Sequence, residues 1–386
     1  MSSPTTDLEI TSTRAPSNSP PKHANMKKSL RDTISKGWPS MSQNSAEVVS
    51  MTIHTDDIYR QYARDQDPKE LFEKAANWIS QIRITTLDDK QQELINEQIH
   101  EAMVRAIFGS NMIEHAGLGY DITIQLCRKI FAGEDVGEIS ERSLSYQNDL
   151  LELYSLEPGL KGMPVQNILR GRNEIVQHAK AFQHIIHAFV AEKQDLTEDL
   201  IKDTHRILTK GIPISHQDGS KVSPEEYGGI YRTVIVGAGS TNFTVPKFVP
   251  VKMKEMCENL KGELAAAEEK KMIDPFSIAT KYSLEFVSIH PFQDGNGRLC
   301  RMILNAILCR YAGVIVPIGE RGEEREEYMS IKKRSSETME GHGEYATFVL
   351  RRAFTRLRDM KKKLTGKGKG KSVTSSDARS ESTAIA

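Results

Sequence analysis

The 386-residue sequence predicts an all-α fold interrupted by one small β-hairpin. Apolar residues recur at three- and four-residue steps through most of the middle of the chain, and a single short segment has strand character. No internal repeat and no alternating strand–helix pattern is present, so a Rossmann or phosphate-loop reading fails. Between Ile58 and Gly109, Leu71, Ala75, Trp78, Ile79 and Ile82, then Leu94, Ile95, Ile99, Met103 and Ile107, trace amphipathic helices. From Ile168 to Glu192 the face is Ile175, Ala179, Phe182, Ile185, Ile186 and Phe189. Leu196 to Lys210 continues it with Leu200, Ile201, His205 and Leu208, and Thr197 before Glu198 and Asp199 reads as a helix cap. The strand-like run Thr233 to Val236, a Gly-rich turn and Phe243 to Val245 read as the hairpin. Helices over Val251 to Lys270, Ile278 to Ile289 and Leu299 to Ala312 follow, the last stopped by Gly313 and Pro317.

The ends differ from this middle. Residues 1–50 hold eleven Ser, five Thr and five Pro with no apolar period, and residues 361–371 hold six Lys and no acid. Both are expected to be disordered tails, 1–50 and 361–386. The whole chain balances 52 basic against 52 acidic residues. The tails carry 6 − 4 = +2 and 7 − 2 = +5, which leaves the middle at −7. A net-acidic folded part is not built to grip a nucleic-acid backbone, so no specific nucleic-acid partner is expected. No stretch reaches the ~18 apolar residues of a membrane span, and no signal-peptide core opens the chain. Cys127, Cys257, Cys300 and Cys309 have no CxxC spacing. These features predict a soluble cytoplasmic or nuclear protein. His184 and His187, and likewise His178 and His205, lack a third ligand at metal-site spacing and read as core or boundary histidines.

Chemistry concentrates between Ser288 and Arg301, where His290, Asp294, Gly295, Asn296, Gly297, Arg298 and Arg301 share one loop and the first turn of the next helix. Gly295 and Gly297 let the backbone turn sharply, and the helix start presents unpaired N–H groups and the positive end of its dipole, an anion-binding nest. Arg298 and Arg301, three apart, leave one face of that turn and can hold successive phosphates, while Leu299, Met302, Ile303, Ala306 and Ile307 are expected to bury the other face. Asp294 is a carboxylate of the kind Mg²⁺ takes beside phosphate oxygens. His290 is placed to act as general base near neutral pH.

The run His290, Pro291, Phe292, Asp294, Gly295, Asn296, Gly297, Arg298, Arg301 resembles the Fic-family signature HPFx[D/E]GNGRxxR at every position. The resemblance implies a Fic-type helical bundle whose β-hairpin is a flap. It implies transfer of AMP from ATP to a protein hydroxyl, with His290 as base, Asp294 on Mg²⁺, Asn296 and the loop amides on phosphate, Arg298 on the γ- and Arg301 on the β-phosphate, and Phe292 as a structural anchor. Gly228 to Arg232 with the following hairpin is similar to the family's flap, which clamps a target strand and lends Val236 and Gly237 to the nucleotide pocket. Tyr328 stands where relatives place an aromatic against the adenosine, or is a core or surface tyrosine. Ser110 and Glu114 resemble the [S/T]xxxE[G/N] inhibitory helix, in which the Glu pairs with the first arginine, here Arg298, in the γ-phosphate's place. His115 departs from the Gly or Asn usual there, so the helix is expected to stop at Gly117 or Gly119.

The resemblance covers roughly residues 100–355. The expected organisation is a helical extension over 51–100 and a Fic-type domain over 101–360 with an inhibitory helix near 105–116. A target protein along the flap and a homodimer are the partners it allows. Three alternatives share the sequence: hydrolysis of AMP-modified protein at the same site, another nucleotide donor, and a silent scaffold.

Overall fold

The computed structural model describes residues 49–53, 59, 67–84, 89–139, 142–216, 218–237, 243–337 and 342–364. The expected tails therefore lie outside the described residues except at their inner edges. The helices are α1 Pro68–Ile84, α2 Asp89–Ile113, α3 Tyr120–Phe131, α4 Tyr146–Leu156, α5 Val165–Ile186, α6 Glu198–Thr209, α7 Pro224–Tyr227, α8 Val249–Lys270, α9 Pro275–Ile289, α10 Asn296–Ala312, α11 Gly322–Glu337 and α12 Gly343–Leu364. α12 passes the predicted boundary at Met360 because Met360 is still buried in the core.

The predicted cap forms: Thr197 accepts from Leu200 N–H at 3.2 Å to open α6, and Asp274, not predicted, accepts from Ser277 N–H at 3.0 Å to open α9. The helical period running to Glu192 holds only to Ile186, after which His187–Ala191 widens into a π turn. α3, α4, α11 and α12 were not expected from the sequence. α11 carries nine charged residues, so its charged faces hide the period.

α10 runs through the middle of the bundle between α9, α5 and α2. It is buried nearly all round, with Leu299, Ile303, Ala306 and Ile307 at 0% exposure and Arg298 and Arg301 at 4% each. The arginine face expected to be an open cradle is thus roofed by the end of α2 and by α11. Strands are few and short. β1 Ser50–Met51 pairs in parallel with β4 Met272–Ile273, and β2 Ile214–Ser215 pairs antiparallel with β3 Lys221–Val222. The hairpin expected at 233–245 is different: its described parts, 233–237 and 243–245, carry no strand pairing, Thr244 N–H bonds Ser288 O in the last turn of α9 at 3.3 Å, and Val234 O and Thr244 O accept from Arg232. Among the described residues no helix is long and apolar enough to cross a membrane.

Candidate active site

α9 ends by a left-handed turn at His290 (φ 52°), and the chain re-enters a helix through Gly295 (φ 77°). The left-handed region disfavours a histidine by about 1 kcal/mol or more, so surrounding contacts must hold it. Arg232 N–H donates to Pro291 O at 2.9 Å, and its guanidinium Nε donates to His290 O at 2.6 Å. His205, at 0% exposure, braces the other limb. Its Nδ1 accepts from Gly229 N–H at 2.8 Å, so its Nε2 carries the proton and donates to Asp294 O at 2.8 Å. Its ring stacks on Phe292 at 3.7 Å.

His290 Nδ1 lies 3.2 Å from Val287 O, an atom that only accepts, so the proton of the neutral ring sits on Nδ1 and Nε2 is left with its lone pair. Burial lowers the imidazole pKa to about 4, against the opposing hydrogen bond that its Nδ1–H donates to Val287 O, with Lys332 and Arg232 adding to the lowering. The ring is therefore neutral at pH 7. Phe243 stacks on it at 3.8 Å and 19°.

On the arginine side, Arg301 Nε donates to Ser110 Oγ at 2.8 Å, and Nη2 donates to Ser110 O at 3.1 Å and to Glu114 Oε1 at 2.6 Å. Burial alone would raise the Glu114 carboxyl, but Arg301, with Arg298 behind it, outweighs this and holds it below the usual value. Arg298 contacts Asp294 Oδ2 at 3.2 Å through Nη2. Its Nε and Nη1 are buried and have no hydrogen-bond partner among the described residues. Leaving charged donors unmet costs about 1–3 kcal/mol each, so the described residues leave two donors of this group open to a further acceptor.

A profile of the Fic/DOC family matches residues 195–308, which takes in α6, the 228–245 segment and the whole loop just described. The chain carries a Fic domain. It is 26% identical over 159 residues to protein adenylyltransferase fic-1 of Caenorhabditis elegans, and the match covers 40% of this chain but only 28% of that protein. A Fido domain-containing protein of Dictyostelium discoideum is 32% identical over 97 residues, 25% of this chain and 65% of the other. Among solved structures, a Fic domain containing signaling protein from Bacteroides thetaiotaomicron superposes with a TM-score of 0.52 at 19% identity, over 78% of this chain and 98% of that one. The Fic-1 fragment from C. elegans gives 0.54 at 18%, over 78% and 72%. At these identities the likeness is one of fold.

Several expectations for the Fic domain are corrected by its geometry. Glu114 pairs with Arg301, not Arg298. The carboxylate passes over Gly297, where a Cβ would stand 2.1 Å from Oε1, and Arg301 lies one turn further along that face while Arg298 turns to Asp294. The α2 helix stops at Ile113 and neither Gly117 nor Gly119 is its terminator. Ala116 N–H bonds Asn111 O at 3.0 Å across His115, which takes φ 50°, the left-handed position that Gly or Asn fills most easily. Asn296 is not free for phosphate: its Oδ1 accepts from Phe292 N–H at 2.9 Å and its Nδ2 donates to Phe292 O at 2.8 Å, closing the loop. Tyr328 is fully buried against Tyr345 and Phe348, with its hydroxyl 3.5 Å from Arg301 Nη1, so it is a core tyrosine rather than an open base platform. Val236 is half-buried, and Gly237 borders open space. His178 and His205 are core histidines as expected, His178 bonding Asn111 Oδ1 at 2.7 Å.

Sequence reasoning missed three contributors. His205 was discounted as core, though it braces Asp294. Arg232 stood in a noted segment without a role. Lys332, one turn after Tyr328 and 5.3 Å from its ring, is a third cation at the site. For Lys332, the i to i+4 spacing was the available signal.

Proposed function

We propose that this Fic domain transfers AMP from ATP to a hydroxyl side chain of a target protein. The observation that carries the reading is Arg298, buried at 4% exposure with two unpartnered nitrogens, beside the α10 N-terminal amides and a neutral His290. Proteins named protein adenylyltransferase in C. elegans and Nematostella vectensis are similar to this chain over 159 and 190 residues. His290 Nε2 accepts the hydroxyl proton, the hydroxyl oxygen bonds to the α-phosphorus, and the bond to the bridging oxygen breaks so that pyrophosphate leaves. Arg298, the first-turn amides of α10 and Arg301 hold the phosphate chain. Asp294 suits Mg²⁺: its carboxylate is 43% exposed, and among the described residues its Oδ2 is engaged only by the 3.2 Å contact to Arg298. The ion, when bound, would offset charge on the phosphates.

Glu114 holds the activity down by competing with phosphate for Arg301. The target binds along 230–237 and 243–245, where Ile230, Val234, Ile235 and Val245 are exposed at 49%, 49%, 86% and 52%. The four unpaired cysteines suit an intracellular setting. Incubating Glu114→Gly protein with Mg²⁺ and α-labelled ATP tests the reading: label should enter protein and be lost on Asp294→Ala, and full labelling by Asp294→Ala would contradict the role of that carboxylate.

A further inference from the structure

Arg232 is 3% exposed, and among the described residues its guanidinium is met by carbonyl oxygens alone, with no carboxylate among its hydrogen-bond partners. Nε donates to His290 O at 2.6 Å and Nη2 to Ile289 O at 3.3 Å, the last carbonyls of α9, where orphan acceptors and the negative end of the helix dipole favour a cation. Nη1 donates to Val234 O at 3.0 Å and Nη2 to Thr244 O at 2.5 Å, one carbonyl from each arm of the 233–245 segment. Those arms carry no strand pairing among the described residues. The planar fork thus stands in for a β-ladder, joining both arms to the strained turn that carries the base. Thr244 is next to Phe243, whose ring stacks on His290, so the same side chain also fixes the face against which the imidazole rests.

We infer that Arg232 is a positioning residue for acceptor transfer: it locks the two target-binding arms and His290 into one rigid unit, so that a hydroxyl presented on the arms meets Nε2 in line. The inference rests on the transferase reading given above. Arg232 has no hydrogen bond to the side chains of Asp294, Arg298 or Arg301, so it should leave nucleotide binding alone. Lysine cannot replace it, because three donors on one nitrogen do not span His290 O and both arms.

The test compares Arg232→Met and Arg232→Lys in the Glu114→Gly protein. Self-labelling should fall about 100-fold in the methionine variant and at least 10-fold in the lysine variant, as expected for sub-ångström misplacement of a base. ATP affinity by calorimetry should stay within about 2-fold, which a general loss of structure would not allow. Methylguanidinium should restore part of the rate to Arg232→Gly. Hydrogen exchange needs no nucleotide and separates the two ideas: peptides covering 230–237 and 243–248 should lose protection together in either variant. Labelling unchanged in both variants, an equal fall in ATP affinity, or exchange altered in only one arm overturns the inference. If Glu114→Gly itself does not label, the transferase reading fails, and joint loss of protection still upholds the clamp.

Discussion

Replacing Glu114 tests the proposed inhibitory role of its contact with Arg301, with a magnitude set by the geometry. The carboxylate accepts a 2.6 Å bond from Arg301, whose side chain is 4% exposed, while Glu114 is 34% exposed. A charge-assisted bond in such a partly closed place contributes about 1.5–3 kcal/mol net, so removing it should free Arg301 for phosphate and raise the labelling rate about 10- to 150-fold. Glu114→Gly should show the full rise in incorporation from α-labelled ATP. Glu114→Gln, which keeps an acceptor but not the charge, should fall between it and wild type. A double-mutant cycle on unfolding free energy locates the partner: coupling of about 2 kcal/mol is expected between Glu114 and Arg301, and less than about 0.5 kcal/mol between Glu114 and Arg298. No rise with Glu114→Gly, or coupling that follows Arg298, would refute the reasoning.

Two further outcomes follow from backbone and proton energetics. His115→Gly relieves a left-handed histidine at the end of α2 and should stabilise the protein by about 0.5–1 kcal/mol, read as a rise in melting temperature of about 1–3 °C; a fall would show that the His115 side chain supplies more than it strains. His205 and His290 both have folded pKa values near 4, below the ordinary 6.5. The unfolded chain therefore takes up these protons first as pH falls, so stability is full above about pH 6.5 and declines by about 3 kcal/mol per histidine down to about pH 4. Because His290 stays neutral over the same range, the labelling rate of the Glu114→Gly protein should hold from pH 8 to about 5, provided measurements are made where it remains folded. An acid limb at 6.5 would contradict the burial of that ring.

Much of this was legible in the sequence because the loop's chemistry is local. His290, Gly295, Arg298 and Arg301 stand within one turn of where spacing and cap chemistry put them, and α6, α8, α9 and α10 follow their apolar periods. What escaped depended on contacts between distant parts of the chain. Whether Glu114 meets Arg298 or Arg301 is decided by its path over Gly297, and no spacing encodes that path. Asn296 looks like a ligand for phosphate until Phe292 is seen to use both of its polar ends. Thr233 to Val236 has strand composition, yet among the described residues Val234 O is met by the Arg232 guanidinium rather than by a second strand, so propensity named the wrong donor. α11 shows the converse: tertiary packing against α12 makes a helix whose charged surface concealed it.

The central claim is that His290 drives adenylate transfer from ATP on a site masked by Glu114. Intact mass spectrometry of Glu114→Gly protein incubated with ATP and Mg²⁺ addresses it most directly, since one adduct mass reports donor, transferred group and activity together. The account predicts an adenylate-sized increment on Glu114→Gly and none on Glu114→Gly/His290→Ala. An unmodified Glu114→Gly protein, an increment of another mass, or an adduct that survives the loss of His290 would contradict it.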